Sequence, residues 1–478
     1  MSRTSSRGPW AFAVALLWVG CGGGAPGSVG DDLGSNVVVD AQGDAVASDV
    51  TGSGDAVSDA GAIDRARDRE ALLSVQETGR RALDGLDGEV HVLRTEMGVP
   101  HLYASHREDL LRVYGFVMAQ DRFFMMDLAR RMGTGRLTEL LGDAALSNDM
   151  ETRGTGMAYV TDRLMAHMGE AHGRLADAFA AGINAYIEGV ESGALAAPSE
   201  LALAAPLLGA ASPAELMTPF ERRDVAAMFV VVLYESSFET GDVGRAHGLA
   251  SMESHYEGVA LQALRRQGAW QDIHADVAPI KPIASAPGFG TNGTWEAGLA
   301  TAAGALTSST VSRVAAVPPA LLERLAHKLD GYQRRLLRDH DAGFGSNAWA
   351  VSGAHGEGGA AVLAGDGHLQ LSVPSILYQI GLDTSVLGGG DLHQLGLTIP
   401  GLPMMPIGTN GSVAWSQTQF GGDITDWYAE EITLDEEGRP TSSRVGEAWH
   451  PLTRVEEVYE IADVPVLGSV GRTLEASR

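Results

Sequence analysis

Cysteine is almost absent from this chain of 478 residues, with Cys21 the only one. That excludes an intramolecular disulfide, a C-x-x-C redox pair and a thiolate zinc cluster, so stability has to come from packing, aided at most by a metal held through oxygen ligands. Basic residues are scarce as well. Only 34 Lys and Arg stand against 61 Asp and Glu, a formal charge of −27, which leaves no broad electrostatic grip on nucleic acid or anionic lipid. The apolar run Trp10–Val19 is too short to span a bilayer. There is no H-E-x-x-H, no P-loop and no metal-ligand spacing among the 14 histidines. The G-x-S-x-G elbow is also absent around Ser346, because Phe344 and Ala348 stand where its glycines would be. What is present is ordinary globular composition, 45% hydrophobic and 20% charged. At roughly 100–200 residues per domain, the length allows two or three domains or one large one.

Residues 1–21 read as a targeting segment. Arg3 and Arg7 precede the apolar run, as in a signal peptide, and Leu17-Trp18-Val19-Gly20-Cys21 resembles a bacterial lipoprotein signal, in which the cysteine is lipidated and becomes the new N-terminus. Residues 22–62 follow as an acidic tether: up to residue 61 they carry seven Asp, no Lys or Arg, and too few large apolar side chains to offset ordering entropy. The expected location is outside the cytoplasm, in the periplasm or cell envelope, with contact to the membrane only through a lipid on Cys21.

Folding is predicted to begin near residue 64. A helical pattern covers 64–84, and Glu89–Arg94 alternates like a half-buried strand. After a turn at Gly98-Val99-Pro100, apolar faces predict a long helix over about 108–131 and another over about 174–190. The run Val225–Leu233 fits a helix or a buried strand, and periodicity does not separate them. Residues 63–283 are read as one region and 284–345 as a spacer. Within the spacer, 284–317 is rich in Ala, Gly, Ser, Thr and Pro and suits an exposed, cleavable loop, followed by a helix over about 318–338.

The most informative stretch comes next, Gly343-Phe344-Gly345-Ser346-Asn347-Ala348-Trp349, a glycine turn feeding a strand. Its core, Gly345-Ser346-Asn347-Ala348-Trp349, resembles the junction of the penicillin acylase family, N-terminal-nucleophile amidohydrolases made as one precursor. Other segments carry the same resemblance in family order. Upstream they are Gly98–Ala104, Gly115–Asp127, Gly135–Glu139 and Ala181–Tyr186; downstream, Asp366-Gly367-His368-Leu369, Pro400-Gly401, Gly408–Trp415 and Asp423–Asp426. Together they span roughly residues 85–465.

The resemblance implies an α/β fold, the four-layer αββα sandwich of N-terminal-nucleophile hydrolases, with Ser346 opening a central strand. It implies cleavage between Gly345 and Ser346, giving an α/β heterodimer from one precursor, and hydrolysis of the amide of an N-acylated small molecule such as a β-lactam or an acyl-homoserine lactone. Ser346 would be the nucleophile and its own freed α-amine the base. His368 falls where the family has a residue hydrogen-bonded near the nucleophile, and the backbone N–H of Gln419 where it has an oxyanion donor. Leu369 and Ile407 match positions lining the acyl pocket. Asp423, Thr425 through its carbonyl, and Asp426 match a calcium-binding turn, with Glu239 as the ligand from the first region; no organic cofactor is implied. The stretch 346–478 is several times shorter than the family's second subunit, so the resemblance implies an incomplete β-subunit region, with exposed strand edges and marginal stability. Two other readings stay open: a non-catalytic surface lipoprotein that keeps a binding module, and an unrelated serine hydrolase, disfavoured by the missing elbow.

Overall fold

The computed structural model describes residues 65–237, 345–418 and 430–477 except 357–358 and 370–371, together with strand residues 36–40 and single positions at 243, 247, 318, 320, 321, 323 and 324. The chain divides into two compact units, one of Met1–Tyr234, Gly345–Thr418 and Arg454–Arg478, the other of Glu235–Phe344 and Gln419–Thr453.

The first unit is built on an eight-stranded sheet. Its strands are β1 (Asn36–Asp40), β2 (Glu77–Ala82), β3 (Val90–Arg94) and β4 (Pro100–Tyr103) from the first half of the chain. Beyond the ribbon strands β5 (Gly345–Val351) and β6 (Val362–His368), the second half adds β7 (Tyr378–Asp383), β8 (His393–Thr398), β9 (Ile407–Thr409) and β10 (Ala414–Trp415). The order is β10-β9-β8-β7-β4-β3-β1-β2. β3 and β4 form the hairpin expected at Gly98, whose φ of 78° suits a residue without Cβ. β4 then runs parallel to β7, with His101, Leu102 and Tyr103 opposite Gly381, Leu382 and Asp383.

One sheet face presents Val90, Val92, Leu102, Ile380 and Leu382 to a single buried cluster shared with two long helices. The helices whose bounds fall among the described residues are, in chain order, α1 (Arg65–Ser74), α2 (Arg107–Thr134), α3 (Thr138–Leu141), α4 (Leu146–Gly154), α5 (Met157–His167), α6 (Glu170–Glu191), α7 (Ser199–Ala204) and α8 (Arg222–Ser237). Glu108 and Asp109 sit at the start of α2, where the helix dipole favours negative charge, and Gly135 closes it in the left-handed region at φ 63°. α2 and α6 touch backbone to backbone. A Cβ on Gly115 would fall 2.1 Å from the Phe179 carbonyl oxygen, and one on Gly182 would fall 1.8 Å from that of Arg112, so both positions require glycine.

Further along α2 lies a buried ionic network. Asp127 accepts hydrogen bonds from Arg130 and, at 2.8 Å, from Arg131 Nε, while Arg131 Nη1 donates to Glu139 at 3.1 Å. Arg130 is 1% exposed and stacks on Phe220, its Cζ 3.9 Å from the ring centroid. A second cluster ties α2 to the sheet: Arg94 donates to both carboxylate oxygens of Asp121, at 2.8 and 3.0 Å, and the Tyr378 hydroxyl donates to Asp121 at 2.6 Å. Burial, reinforced by Asp121, pushes the Tyr378 phenol well above its ordinary range, so it remains a donor.

In the second unit, β11 (Ile432–Leu434), β12 (Pro440–Val445) and β13 (Ala448–Pro451) form a three-stranded antiparallel meander. The chain returns to the first unit as the hairpin β14 (Glu456–Ile461) and β15 (Arg472–Ser477). This hairpin is pinned to the helices: Arg153 donates to Val458 O at 2.7 Å and packs over Tyr459, and Arg472 pairs with Asp143. No described helix is long and apolar enough to cross a membrane.

The α/β class holds, and three expectations are corrected. The helical pattern over 64–84 yields a helix only at Arg65–Ser74; Glu77–Ala82, interrupted by Gly79, is a strand paired in the sheet, because a ladder partner overrides a weak helical preference. Asn36–Asp40, inside the 22–62 segment read as disordered, is strand β1, whose Val37-Val38-Val39 run is β-branched and pairs on both sides. Ser346 does not open a central strand, since among the described residues β5 pairs with β6 alone. The predicted long helices are present, and Val225–Leu233 is helical within α8. The 284–317 loop, and most of the helix predicted after it, lie outside the described residues.

Candidate active site

β5 and β6 form a two-stranded antiparallel ribbon in which Gly345 faces His368, Ser346 faces Gly367, Asn347 faces Asp366 and Ala348 faces Gly365. Side chains alternate along a strand, so Ser346 and Ala348 share one face with Gly367 and Gly365. Asn347, Trp349, Asp366 and His368 share the other. Two glycines therefore leave the strand without side chains opposite Ser346 and Ala348, and the next pair on that face is Ala350 with Leu363. Gly365 lies against Ser416, just after β10: a Cβ there would stand 2.0 Å from Ser416 Oγ. That hydroxyl is buried, with no hydrogen-bond partner among the described residues. Ser346 itself is half-buried.

On the opposite face, Asn347 Nδ2 and His368 Nε2 are 3.0 Å apart, and the same imidazole nitrogen is 3.5 Å from Asp366 Oδ2. One nitrogen cannot serve both neighbours at once. Unprotonated, it accepts from the Asn347 amide; protonated, it donates to Asp366. The ladder thus sets the His368 side chain across the ribbon from the Ser346 side chain and joins it to Asn347, a partner that the sequence reading missed although it is the residue after the serine. Ser416 was missed too, and no motif marks it.

The remaining predicted residues are scattered. Leu369 follows β6 and is 37% exposed. Ile407 opens β9 in the large sheet, opposite Leu397. Gln419, the metal candidates Glu239, Asp423, Thr425 and Asp426, and Cys21 all lie outside the described residues. Among the described residues no group of three or more His, Cys, Asp or Glu side chains stands ready to hold a metal ion.

Residues 89–477 match the penicillin amidase family. The chain belongs to that family. It is 29% identical over 394 residues to penicillin acylase 2 proenzyme of Pseudomonas sp. (strain SE83), covering 80% of this chain and 43% of that protein. It is 26% identical over 385 residues to acyl-homoserine lactone acylase QuiP of Pseudomonas fluorescens (strain Pf0-1), covering 80% and 40%. The chain thus spans less than half the length of these relatives. Among solved structures, the thermostable penicillin G acylase from Alcaligenes faecalis matches 38% of this chain and 90% of that one, with 26% identity and a TM-score of 0.32.

Proposed function

We propose that this chain is an amidohydrolase of the N-terminal-nucleophile type, cleaving the amide of an N-acylated small molecule such as a β-lactam or an acyl-homoserine lactone. The observation that carries the reading is the ribbon register: the Gly345–Ser346 bond opens β5, and the residue lost on cleavage, Gly345, is the one opposite His368. Relatives named as a penicillin acylase and an acyl-homoserine lactone acylase supply the substrate class.

Maturation begins when Ser346 Oγ attacks the Gly345 carbonyl carbon. The C–N bond breaks, an ester forms and the serine nitrogen takes up a proton; water then hydrolyses the ester, leaving a Gly345 carboxylate and a free α-amine on Ser346. An α-amine has an ordinary pKa of about 7.7–8.0, so an appreciable fraction is unprotonated near neutral pH. In turnover that amine takes the hydroxyl proton through a bridging water as Oγ attacks the substrate carbonyl. The amine leaving group departs with a proton, and water releases the acid from the acyl-enzyme. The Gln419 N–H serves as an oxyanion donor, a role typically worth about 3–4 kcal/mol of barrier. His368 acts as a positioning residue: it stands one rung from Ser346, opposite the Gly345 that cleavage removes. Leu369 and Ile407 line an aliphatic acyl pocket. Oxygen donors at Asp423, Thr425, Asp426 and Glu239 have the chemistry for a structural calcium ion. The helix-covered eight-stranded sheet provides one α layer and one β layer of a four-layer sandwich, and Cys21 carries a lipid anchor outside the cytoplasm.

Intact mass and N-terminal sequencing of the full chain, beside Ser346→Ala, test this directly. A fragment beginning Ser-Asn-Ala-Trp is expected from the unmodified chain and not from the variant. A chain that stays whole in both, or is cut in both, overturns the self-processing mechanism.

A further inference from the structure

Away from the ribbon, the sheet and α2 border a partly open cavity of about 240 Å³, lined by Arg80 and Arg81 of β2, Val92 and Arg94 of β3, and Phe116 and Gln120 of α2. Three arginines line it, and they differ in what their side chains already hold. Both Nη atoms of Arg94 are engaged by Asp121. Arg80 is held by Glu77 at 3.1 Å and Glu89 at 2.7 Å. Arg81 has no carboxylate partner among the described residues; its Cζ lies 5.9 Å from the Phe116 ring centroid. The cavity therefore offers one uncommitted, half-buried cation above a floor of Phe116 and Val92, both buried, with the exposed Gln120 amide nearby.

We propose that this cavity is a binding site for a small monocarboxylate with an aryl or branched-alkyl body. The carboxylate takes the fork of Arg81, whose planar pair of N–H donors matches two carboxylate oxygens, and Gln120 supplies a further donor. The body lies on Phe116 and Val92, where burial of apolar surface adds affinity. Charge decides the class. A phosphate dianion calls for more than one uncommitted cation, and a neutral ligand leaves Arg81 unused. Size points the same way, since ligand pockets for drug-sized molecules run to about 300–1,000 Å³ and this one is smaller. The site lies outside β5 and β6 and does not depend on the acylase reading.

Calorimetric titration of the full chain with phenylacetate, phenethyl alcohol and inorganic phosphate tests it. Phenylacetate is expected to bind saturably and more tightly than either other probe. Arg81→Met is expected to weaken it about tenfold or more, a change of about 1.4 kcal/mol, while Arg81→Lys, which keeps the charge, loses less. Gln120→Ala weakens it further, and Ser346→Ala leaves it unchanged. Phenethyl alcohol binding as tightly as the acid in the unmodified chain overturns the proposal without any variant. So does undiminished affinity in a folded Arg81→Met chain, absence of saturable binding, or loss of binding in Ser346→Ala.

Discussion

In the eight-stranded sheet Val92, Leu102 and Leu382 are at most 6% exposed against the helices, whereas the β5–β6 ribbon leaves Trp349 56% and Val362 57% exposed. Both are β-structure, yet different forces fix their registers. A one-residue slip in the sheet would turn its buried row to the outer face, so burial specifies the pairing. The ribbon has little burial to lose. Its register rests on backbone pairing, on Gly365 fitting against Ser416, and on the Asn347–His368 contact. The scaffold is thus held by mass of packing, and the strand carrying Ser346 by a few specific contacts, which suits a segment that has to change when a bond in it is cut.

Substitutions on the two sides can break that contrast. The largest effect is expected from Asp127→Ala, which strands Arg130 and Arg131 without their buried partner; loss of one member of a buried ion pair costs about 3–5 kcal/mol, read from urea unfolding. Gly182→Ala should follow, at about 1–3 kcal/mol, because the added carbon meets the Arg112 backbone and not a mobile side chain, and the same melts will show it. A third prediction concerns pH. Burial holds the His91 imidazole below its ordinary pKa of 6.5. A histidine kept neutral in the fold costs nothing above that value, and stability falls once pH drops through 6.5 toward the lowered folded value, where the unfolded chain takes up the proton first. Thermal melts across that window should therefore flatten in His91→Gln. The smallest effect is expected from Trp349→Thr on the ribbon, within about 0.5 kcal/mol, as for most exposed positions. A cost of several kcal/mol there would show that the ribbon is held by packing after all.

The same contrast separates what could be read in the sequence from what could not. α2 and α6 were legible because their apolar residues recur with helical spacing over many turns, and the β3 strand because it alternates before a Gly-Pro turn. Gly345-Ser346-Asn347 reads as a glycine turn feeding a strand, and these residues open β5. Partnership across long separations left no such trace. Tyr378 reaches Asp121 over 257 positions, and nothing around either residue announces the other. Nothing in the local sequence marks Asp127, Arg130 and Arg131 as a buried network. The split of 64–84 into a helix and a strand failed for a related reason: β2 exists through its partner, and the partner lies in a stretch whose composition reads as disorder. For the site, position along the chain carried His368 next to the serine strand, but only the register shows that its side chain lies across the ribbon from Ser346.

β4 comes before the Gly345–Ser346 bond in the chain and β7 after it, yet the two are adjacent strands in one sheet. If that bond is cut, the β4–β7 ladder becomes a seam between two polypeptides, and Leu102 and Leu382 on either side of it belong to different molecules. Folding before the cut is a first-order search along one chain; after it, pieces parted by denaturant must meet by diffusion, without the high effective concentration that the covalent link supplied. Recovery of the cut protein would then depend on dilution while that of the uncut chain would not, so the order of events, fold first and cut second, becomes a memory that the finished molecule cannot rewrite by itself.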